Sequence, residues 1–384
     1  MGKRTNGEGS IWKRVLPDGK IRYEGAISYL DGDGRRKRKT VYGKTTAVVK
    51  EKLKEIRDRL DAGAPVSDST LTVARWFEHW RTVSLQVSDR KPSTKSLYAS
   101  LSVKHIEGGV LGERRLDQLK PTDIEKFLLT LTEQKLSEST IRQIYTVLRT
   151  GLDGAVRDEL LARNPAALVK RPKVTKREVG HLDPKQAKAL LVAAGGSRYA
   201  LALELIFRTG LRRGEVLALR WADLKLDGDA PVLRVTQTLG RVDGELTFSP
   251  PKSLRSRREI PLTPGMVAAL KAHREAQNAE RVKAANLWVE HGLVFCTEVG
   301  RPVEPRNLLR VVEAAAKKAD LQGVGVHTLR HSAATAMLEG GTHIKAVSDL
   351  LGHGSVAVTG DVYGHTSDSA ARGAVELLDG LLDN

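Results

Sequence analysis

The sequence predicts a multidomain, mainly α-helical protein with small β-sheets, and three observations carry that prediction. Apolar residues recur at helical spacing through most of the chain from Leu71 onward. Alternating, turn-bounded segments are confined to the first 65 residues and to a stretch between Val232 and Pro261. A length of 384 residues exceeds what one hydrophobic core usually serves, and 40% hydrophobic residues supply ordinary cores, so disorder is not the reading.

Composition bounds the function. A formal net charge of +17 and a pI near 9.9 favour a polyanionic partner, because each phosphate neutralised by Lys or Arg releases counterions. Charge alone leaves open a merely soluble basic protein. Cys296 is the single cysteine, so no intrachain disulfide is possible and an intracellular setting is expected. No apolar run approaches the ~18 residues of a membrane span. The opening MGKRTNGEGS lacks the apolar core of a signal peptide. The expectation is a cytoplasmic chain with no membrane partner.

Residues 1–65 hold 17 Lys or Arg against 9 Asp or Glu, a net of +8. Three strands are predicted there, Ser10 to Val15, Ile21 to Leu30 and Arg36 to Val41, separated by a Pro17-Asp-Gly turn and an Asp31-Gly-Asp-Gly turn. Thr45 or Thr46 caps a helix whose Val49, Leu53, Ile56 and Leu60 form an apolar stripe. A strand with Arg35, Arg36, Lys37, Arg38 and Lys39 can lie in a major groove. The same residues can equally make a solvated edge that blunts aggregation.

Ala62 to Thr70 is a turn-rich linker. From Leu71 to about Pro165 the pattern is helical. Trp76, Phe77 and Trp80 lie near helical spacing, Pro92 starts a second helix, and Thr122 with Glu125 makes a capping box for a third. Ile141, Ile144, Leu148 and Leu152 supply the stripe of a fourth. The tryptophans read as core rather than base-stacking residues. Lys91, Lys95 and Lys104 are candidate phosphate contacts, although a lysine on a helix commonly faces only water.

Ala166 to Asp183 is a basic, irregular connector with Lys170, Arg171, Lys173, Lys176 and Arg177 around Pro172. It can cross a DNA backbone, and a disordered hinge would have the same composition. Asp183-Pro184 opens a helix through Leu190, and Leu201 to Phe207 forms another. Strands follow at Val232 to Thr238, Leu246 to Ser249 and Glu259 to Pro261; the remainder to Val375 is mostly helical. Asp368 to Asn384 contains one Arg against four acids, Asp368, Glu376, Asp379 and Asp383. With Val375, Leu378 and Leu382 it suits packing against protein better than DNA.

The chemistry concentrates between His327 and Tyr363. His327 and Arg330 are three residues apart, so they share a face if they open a helix. A second helix, started by Thr342, carries Ile344, Val347 and Leu351 and ends at Gly352, which holds His353 on the turn just past the helix end. Ten residues later Tyr363 lies between a Thr-Gly break and Gly364-His365, a position that suits an exposed phenol. Cation, two imidazoles and phenol describe a phosphate site with a hydroxyl nucleophile. His327 and His331 could instead be an i, i+4 zinc pair. Against zinc stand the lack of an HExxH glutamate or nearby cysteine, and two arginines that would repel a dication. His331 reads as a packing residue and His343 and His365 as surface residues.

H-x-x-R at His327, L-G-H at Leu351 and a tyrosine ten residues beyond that histidine together resemble the C-terminal signature of the tyrosine recombinases, the phage integrase family. Thr209-Gly-Leu-Arg-Arg-Gly-Glu through Trp221 resembles the family's first arginine box. Pro251-Lys252-Ser253, followed by Arg257-Arg-Glu-Ile-Pro-Leu262, resembles the hairpin that carries the family lysine. Four boxes in order make the resemblance specific. Two departures are Thr328, where many relatives have an acid, and Gly360, where a larger residue is usual.

The resemblance implies an arm-type DNA-binding domain at 1–65, a helical core-binding (SAM-like) domain at 71–165, a linker at 166–183 and a mixed α+β catalytic domain at 184–384. It implies a site-specific integrase that cuts and rejoins DNA through a 3′-phosphotyrosyl intermediate, to integrate or excise a mobile element such as a phage. Arg212, Lys252, His327, Arg330, His353 and Tyr363 would be catalytic, with Glu215 orienting Arg212. Arg212 and Arg330 would face the phosphate oxygens, His353 would bond the same phosphate, and His327 would assist proton transfer or complete the oxyanion contacts. Lys252 would protonate the leaving 5′-oxygen while Tyr363 attacks phosphorus. No metal, nucleotide or other cofactor is implied. The implied partners are double-stranded DNA at core and arm attachment sites, further copies in a synaptic tetramer, and a host bending factor or excisionase; the protein would join the nucleoid when bound. A cellular dimer-resolving recombinase would normally lack the N-terminal module. A type IB topoisomerase would relax DNA alone, and a catalytically silent DNA-binding regulator would need no tyrosine.

Overall fold

A computed structural model describes residues 10–17, 19–30, 36–61, 71–175, 180–251 and 254–363. The chain divides into two compact units, Met1–Lys176 and Arg177–Asn384. Arg35, Lys176, Arg177, Lys252 and His365, together with the acidic tail, lie outside the described residues.

The first unit opens with an antiparallel sheet of β1 (Ser10–Val15), β2 (Ile21–Leu30) and β3 (Arg36–Gly43), in that order. Helix α1 (Thr46–Asp61) packs on it, its first turn capped by the Thr45 hydroxyl, which accepts from the Val48 amide at 3.3 Å. Strand alternation sends Ile11, Tyr23, Ile27, Tyr29 and Val41 toward Val49, Leu53 and Ile56 of the helix. The other face carries Trp12, Arg14, Arg22, Glu24, Arg36, Arg38 and Tyr42. Its centre is the register Trp12, Glu24, Tyr42: buried Glu24 accepts from Trp12 Nε1 at 3.1 Å and from Arg22 Nη2 at 2.7 Å. Arg22 stacks on Tyr42 at 4.4 Å, and Arg38 on Trp12 at 5.4 Å. The predicted basic strand is therefore not one surface. Arg36 and Arg38 point to the open face, whereas Lys37 and Lys39, paired with Tyr29 and Ile27, point to the helix side.

A separate helical core follows. Helix α2 (Val73–His79) runs through a π-helical turn, Trp80–Ser84, into α3 (Leu85–Val87). Helix α4 (Pro92–Leu101) ends in a second π-helical turn, Ser102–Glu107, and α5 (Pro121–Glu133) and α6 (Glu138–Arg157) complete the set. Trp76, Phe77 and Trp80 are buried against Ile144, Leu148 and Leu152, and Trp76 Nε1 donates to the Gly151 carbonyl at 2.8 Å. The tryptophans are thus core. The cap of α5 differs from the prediction: Asp123 accepts from the Lys120 amide at 3.0 Å, because Pro121 already opens the helix one residue before Thr122.

The second unit begins with α7 (Pro184–Ala194), capped reciprocally by Asp183 and Gln186, followed by α8 (Ala200–Thr209) and α9 (Arg213–Ala218). Strands β4 (Leu224–Lys225), β5 (Val232–Val235) and β8 (Arg258–Pro261) form one antiparallel sheet. Strands β6 (Thr238–Val242) and β7 (Glu245–Ser249) form a separate hairpin. The single strand predicted over Val232 to Thr238 is thus divided at Thr236-Gln237, and its two ends enter different sheets. Helices α10 (Pro264–Ala284), α11 (Pro305–Lys318), α12 (Val326–Glu339), α13 (Ile344–Leu351) and α14 (Val356–Tyr363) complete the fold. One core joins α7, α8, α9, α11 and the first sheet, and Ala334, Val347 and Leu351 tie α13 to α12. Helix α13 is capped by His343, whose Nδ1 accepts from the Lys345 amide at 3.2 Å, rather than by Thr342. Among the described residues, no helix is long and apolar enough to cross a membrane.

Candidate active site

The site assembles where the ends of α8 and α13 meet. Helix α8 stops at Gly210, which is left-handed at φ 65° and presses on Leu351: a Cβ at Gly210 would lie 2.3 Å from Leu351 Cδ2. That contact brings the Thr209 to Trp221 segment against the last turn of α13. Helix α13 in turn ends at Gly352, also left-handed at φ 66°, so its final carbonyls have no intrahelical donor.

Three arginines supply those donors. Arg258 Nε donates to the Leu350 carbonyl at 2.5 Å, Arg330 Nη2 to Leu351 at 2.8 Å and Arg212 Nη2 to Gly352 at 2.8 Å. Cations at a helix C-terminus also complement its dipole. Arg330 Nη1 donates to the Gly210 carbonyl, closing the junction from the other side. Glu215 joins two of the three. Its Oε1 accepts from Arg212 Nη1 at 2.7 Å and from Arg258 Nη1 at 3.3 Å; its Oε2 accepts from the Arg212 amide at 2.9 Å and from Arg258 Nη2 at 3.0 Å. Arg330 and Glu215 are each 4% exposed and the Arg258 side chain 7%, whereas the Arg212 side chain is 33% exposed.

His353 follows directly on this junction, its amide donating to the Ser348 carbonyl at 3.1 Å and its Nδ1 lying 2.8 Å from the buried Thr359 hydroxyl on α14. Burial lowers its pKa to about 4, assisted by the charges of Arg330, Arg212 and Arg258, so the ring is neutral at physiological pH. His327 stands one turn before Arg330 on α12 and reaches solvent; desolvation on its protein side, then the charges of Arg213, Arg330 and Arg212, lower its pKa. His331 is lowered by burial and then by His327 and Arg330. Burial alone would raise the Glu215 carboxyl, and the charges of Arg258 and Arg212 outweigh it, holding the pKa below the usual value. Glu215 pairs with Arg212 and Arg258 while Arg330 is held by backbone carbonyls, which leaves a net positive cluster beside a neutral imidazole, an arrangement that suits a phosphodiester.

The fold thus brings together Arg212, Glu215, Arg330 and His353, with His327 on the face of Arg330. Tyr363 is the last residue of α14, which starts three residues after His353; only its backbone is described. Lys252 lies outside the described residues. In the first unit, Lys91 is exposed at the start of α4, and Lys95 Nζ donates to the Gln86 carbonyl at 2.6 Å. Lys104, Lys170, Arg171 and Lys173 are exposed. Among the described residues, no group of three His, Cys, Asp or Glu side chains is placed to hold a metal ion.

Sequence reasoning missed Arg258 and Thr359. Arg258 carried a partial signal: it stands just before the predicted strand Glu259 to Pro261, and alternation puts it on the face of apolar Ile260, where a charge needs an anionic partner. Thr359 carries no comparable signal, because a hydroxyl on a short helix finds its imidazole only through the tertiary fold.

Residues 181–370 match the model of the phage integrase family. A XerC-like tyrosine recombinase of Caldanaerobacter subterraneus subsp. tengcongensis is 29% identical over 400 residues, covering 99% of this chain and 100% of that protein. An integrase of Streptomyces ambofaciens is 30% identical over 365 residues, covering 92% of this chain and 91% of that protein. Among solved structures, the Tn1549 transposon integrase in complex with a circular intermediate DNA is similar with a TM-score of 0.67 at 22% identity, covering 80% of this chain and 99% of that one. The lambda integrase tetramer bound to a Holliday junction gives 0.59 at 18% identity, covering 95% and 99%. The chain belongs to the phage integrase family, the site-specific tyrosine recombinases, enzymes that transfer DNA strands.

Proposed function

We propose that this integrase cuts and rejoins attachment-site DNA through a 3′-phosphotyrosyl bond at Tyr363, and so integrates or excises a mobile element such as a phage. The observation that carries the assignment of roles is the set of arginines on the end of α13 beside His353. Arg212, with its side chain partly open, and Arg330 hold the non-bridging oxygens, and His353 donates a hydrogen bond to the same phosphate. That bond requires the tautomer with the proton on Nε2, in which Nδ1, 2.8 Å from the Thr359 hydroxyl, accepts from it. His327 assists proton transfer at the tyrosine or completes the oxyanion contacts. Lys252 protonates the leaving 5′-oxygen, and Glu215 orients Arg212. The phosphotyrosyl bond retains the energy of the broken ester, so rejoining needs neither ATP nor a metal ion.

Residues 1–65 read arm sites separate from the crossover site, residues 71–165 hold the core site, residues 166–183 link them to the catalytic domain at 184–384, and the work is done by a synaptic tetramer. A tetramer on a junction is the assembly described for lambda integrase. A host bending factor or excisionase sets direction, and the protein acts in the cytoplasm at the nucleoid.

The test is a nicked suicide duplex carrying the attachment site, incubated with the full chain in excess chelator without nucleotide. Covalent complex is expected from the wild type and none from Tyr363→Phe, with site binding retained. A strict Mg²⁺ requirement that spermidine or salt cannot meet would point to metal-assisted hydrolysis instead.

A further inference from the structure

Arg258 stands apart from the residues that face the phosphate in this reading. Its side chain is almost fully buried on β8, yet it spans three separate acceptors: both oxygens of Glu215, the Leu350 carbonyl at the end of α13, and the Ser256 carbonyl at 3.1 Å. A purely structural ion pair needs one partner. Arg258 instead ties the acid that holds Arg212 to the helix end whose next two carbonyls are held by Arg330 and Arg212.

From this geometry we infer that Arg258 is a positioning residue for strand transfer, one that fixes Arg212 and His353 relative to each other without touching DNA. The inference rests on the proposed roles of those two residues. Its physical basis is the sharing of Glu215. Each carboxylate oxygen bridges Arg212 and Arg258, so the carboxylate plane is set by both guanidinium groups. Without Arg258, the carboxylate turns about its own axis to suit Arg212 alone, and the Leu350 carbonyl loses its donor. The Gly352 turn loosens as well, since Arg258 packs against it: a Cβ at Gly352 would lie 2.9 Å from Arg258 Nη1. Gly352 is the residue before His353, so a change in its backbone moves the imidazole. Lysine cannot replace the fork, because one ammonium cannot meet two carboxylate oxygens and a carbonyl in three directions.

The experiment compares wild type, R258K and R258M as full chains on the suicide duplex. Site affinity, thermal midpoint and the single-turnover rate of covalent complex formation at saturating protein are measured, the rate being expressed per folded molecule. The expected result is a rate loss of ~10²-fold in R258M, the penalty of misplacing reacting groups by about 1 Å. Site affinity stays within ~2-fold, and R258K recovers part of the rate, because the split between binding and chemistry separates positioning from attraction. A loss confined to affinity or to the folded fraction, with a wild-type rate per folded molecule in both variants, overturns the assignment. R258K keeps a cation beside Glu215, so it carries the comparison if R258M does not fold. A wild-type protein that forms no covalent complex, or a Tyr363→Phe protein that does, would instead break the underlying reading of the site.

Discussion

Replacing Glu215 by Gln keeps the size of the side chain but removes its negative charge and turns one acceptor into a donor, and the structure sets the size of the effect. The carboxylate accepts four hydrogen bonds, two from Arg258 and two from Arg212. A Gln amide places a donor where one oxygen was, so the two bonds to that oxygen are lost and Arg258 is left as a buried cation without a counterion. Removing one partner of a buried pair costs about 3–5 kcal/mol. The share of Arg212 is discounted because its side chain is a third exposed and water screens it, so the lower end, about 3 kcal/mol, is the expectation. For a unit of roughly 200 residues each kcal/mol lowers the midpoint by about 2–4 °C, which gives about 6–12 °C. The sign with pH follows from the lowered pKa. The contribution of Glu215 is fully present above the unfolded value of 4.5 and is lost as pH falls through the lower folded value. Thermal melts of wild type and E215Q across pH should show the full gap at pH 7 and a closing gap only in acid. Midpoints within ~2 °C at neutral pH, or a gap indifferent to pH, would refute the idea that this carboxylate holds the arginines together.

Two further outcomes follow from the same junction. Gly210→Ala should destabilise the unit by at least ~1–2 kcal/mol through its left-handed backbone, and by more because Leu351, whose carbonyl Arg330 holds, must move; an unchanged melt would show that α8 and α13 are not locked there. In DNA-free protein, His353 should titrate by NMR near pH 4, its neutral form adding stability above pH 6.5 that is lost as pH falls toward 4, and bound DNA should raise the midpoint; a free-protein midpoint near 6.5 would mean the ring is not held among Arg330, Arg212 and Arg258.

Much of the site was legible because its residues sit at helix punctuation. Gly352 ends α13 and places His353, and His327 and Arg330 share the first turns of α12, so local spacing located these three, while Arg212, just past the Gly210 end of α8, was located by the resemblance of its box. The basic strand was legible as a strand, but its charge was read as one patch, although alternation sends Arg38 and Lys39 to opposite faces. Register also decided the division at Thr236-Gln237: an apolar run cannot say that its two ends pair with different partners. The cap of α5 shifted because Pro121 opens the helix before Thr122, and that of α13 because His343 Nδ1 takes the Lys345 amide that Thr342 could have capped. Alternation puts Arg258 on an inward face, but no local pattern names its partner, a carbonyl 92 positions away.

The arginine comb on α13 has a consequence for which DNA the enzyme accepts. Each arginine side chain carries about 2 kcal/mol of rotamer entropy, and here the three guanidinium groups are immobilised by folding, before any phosphate arrives. In the proposed reaction, a receptor stiffened in advance does not remodel itself around an ill-placed ligand, so adjustment falls on the DNA that carries the scissile phosphate. Bending energy depends on the base steps being bent, about 1–6 kcal/mol for a short site. Base pairs that no side chain touches can therefore set the rate of strand transfer, through the stiffness of the DNA alone.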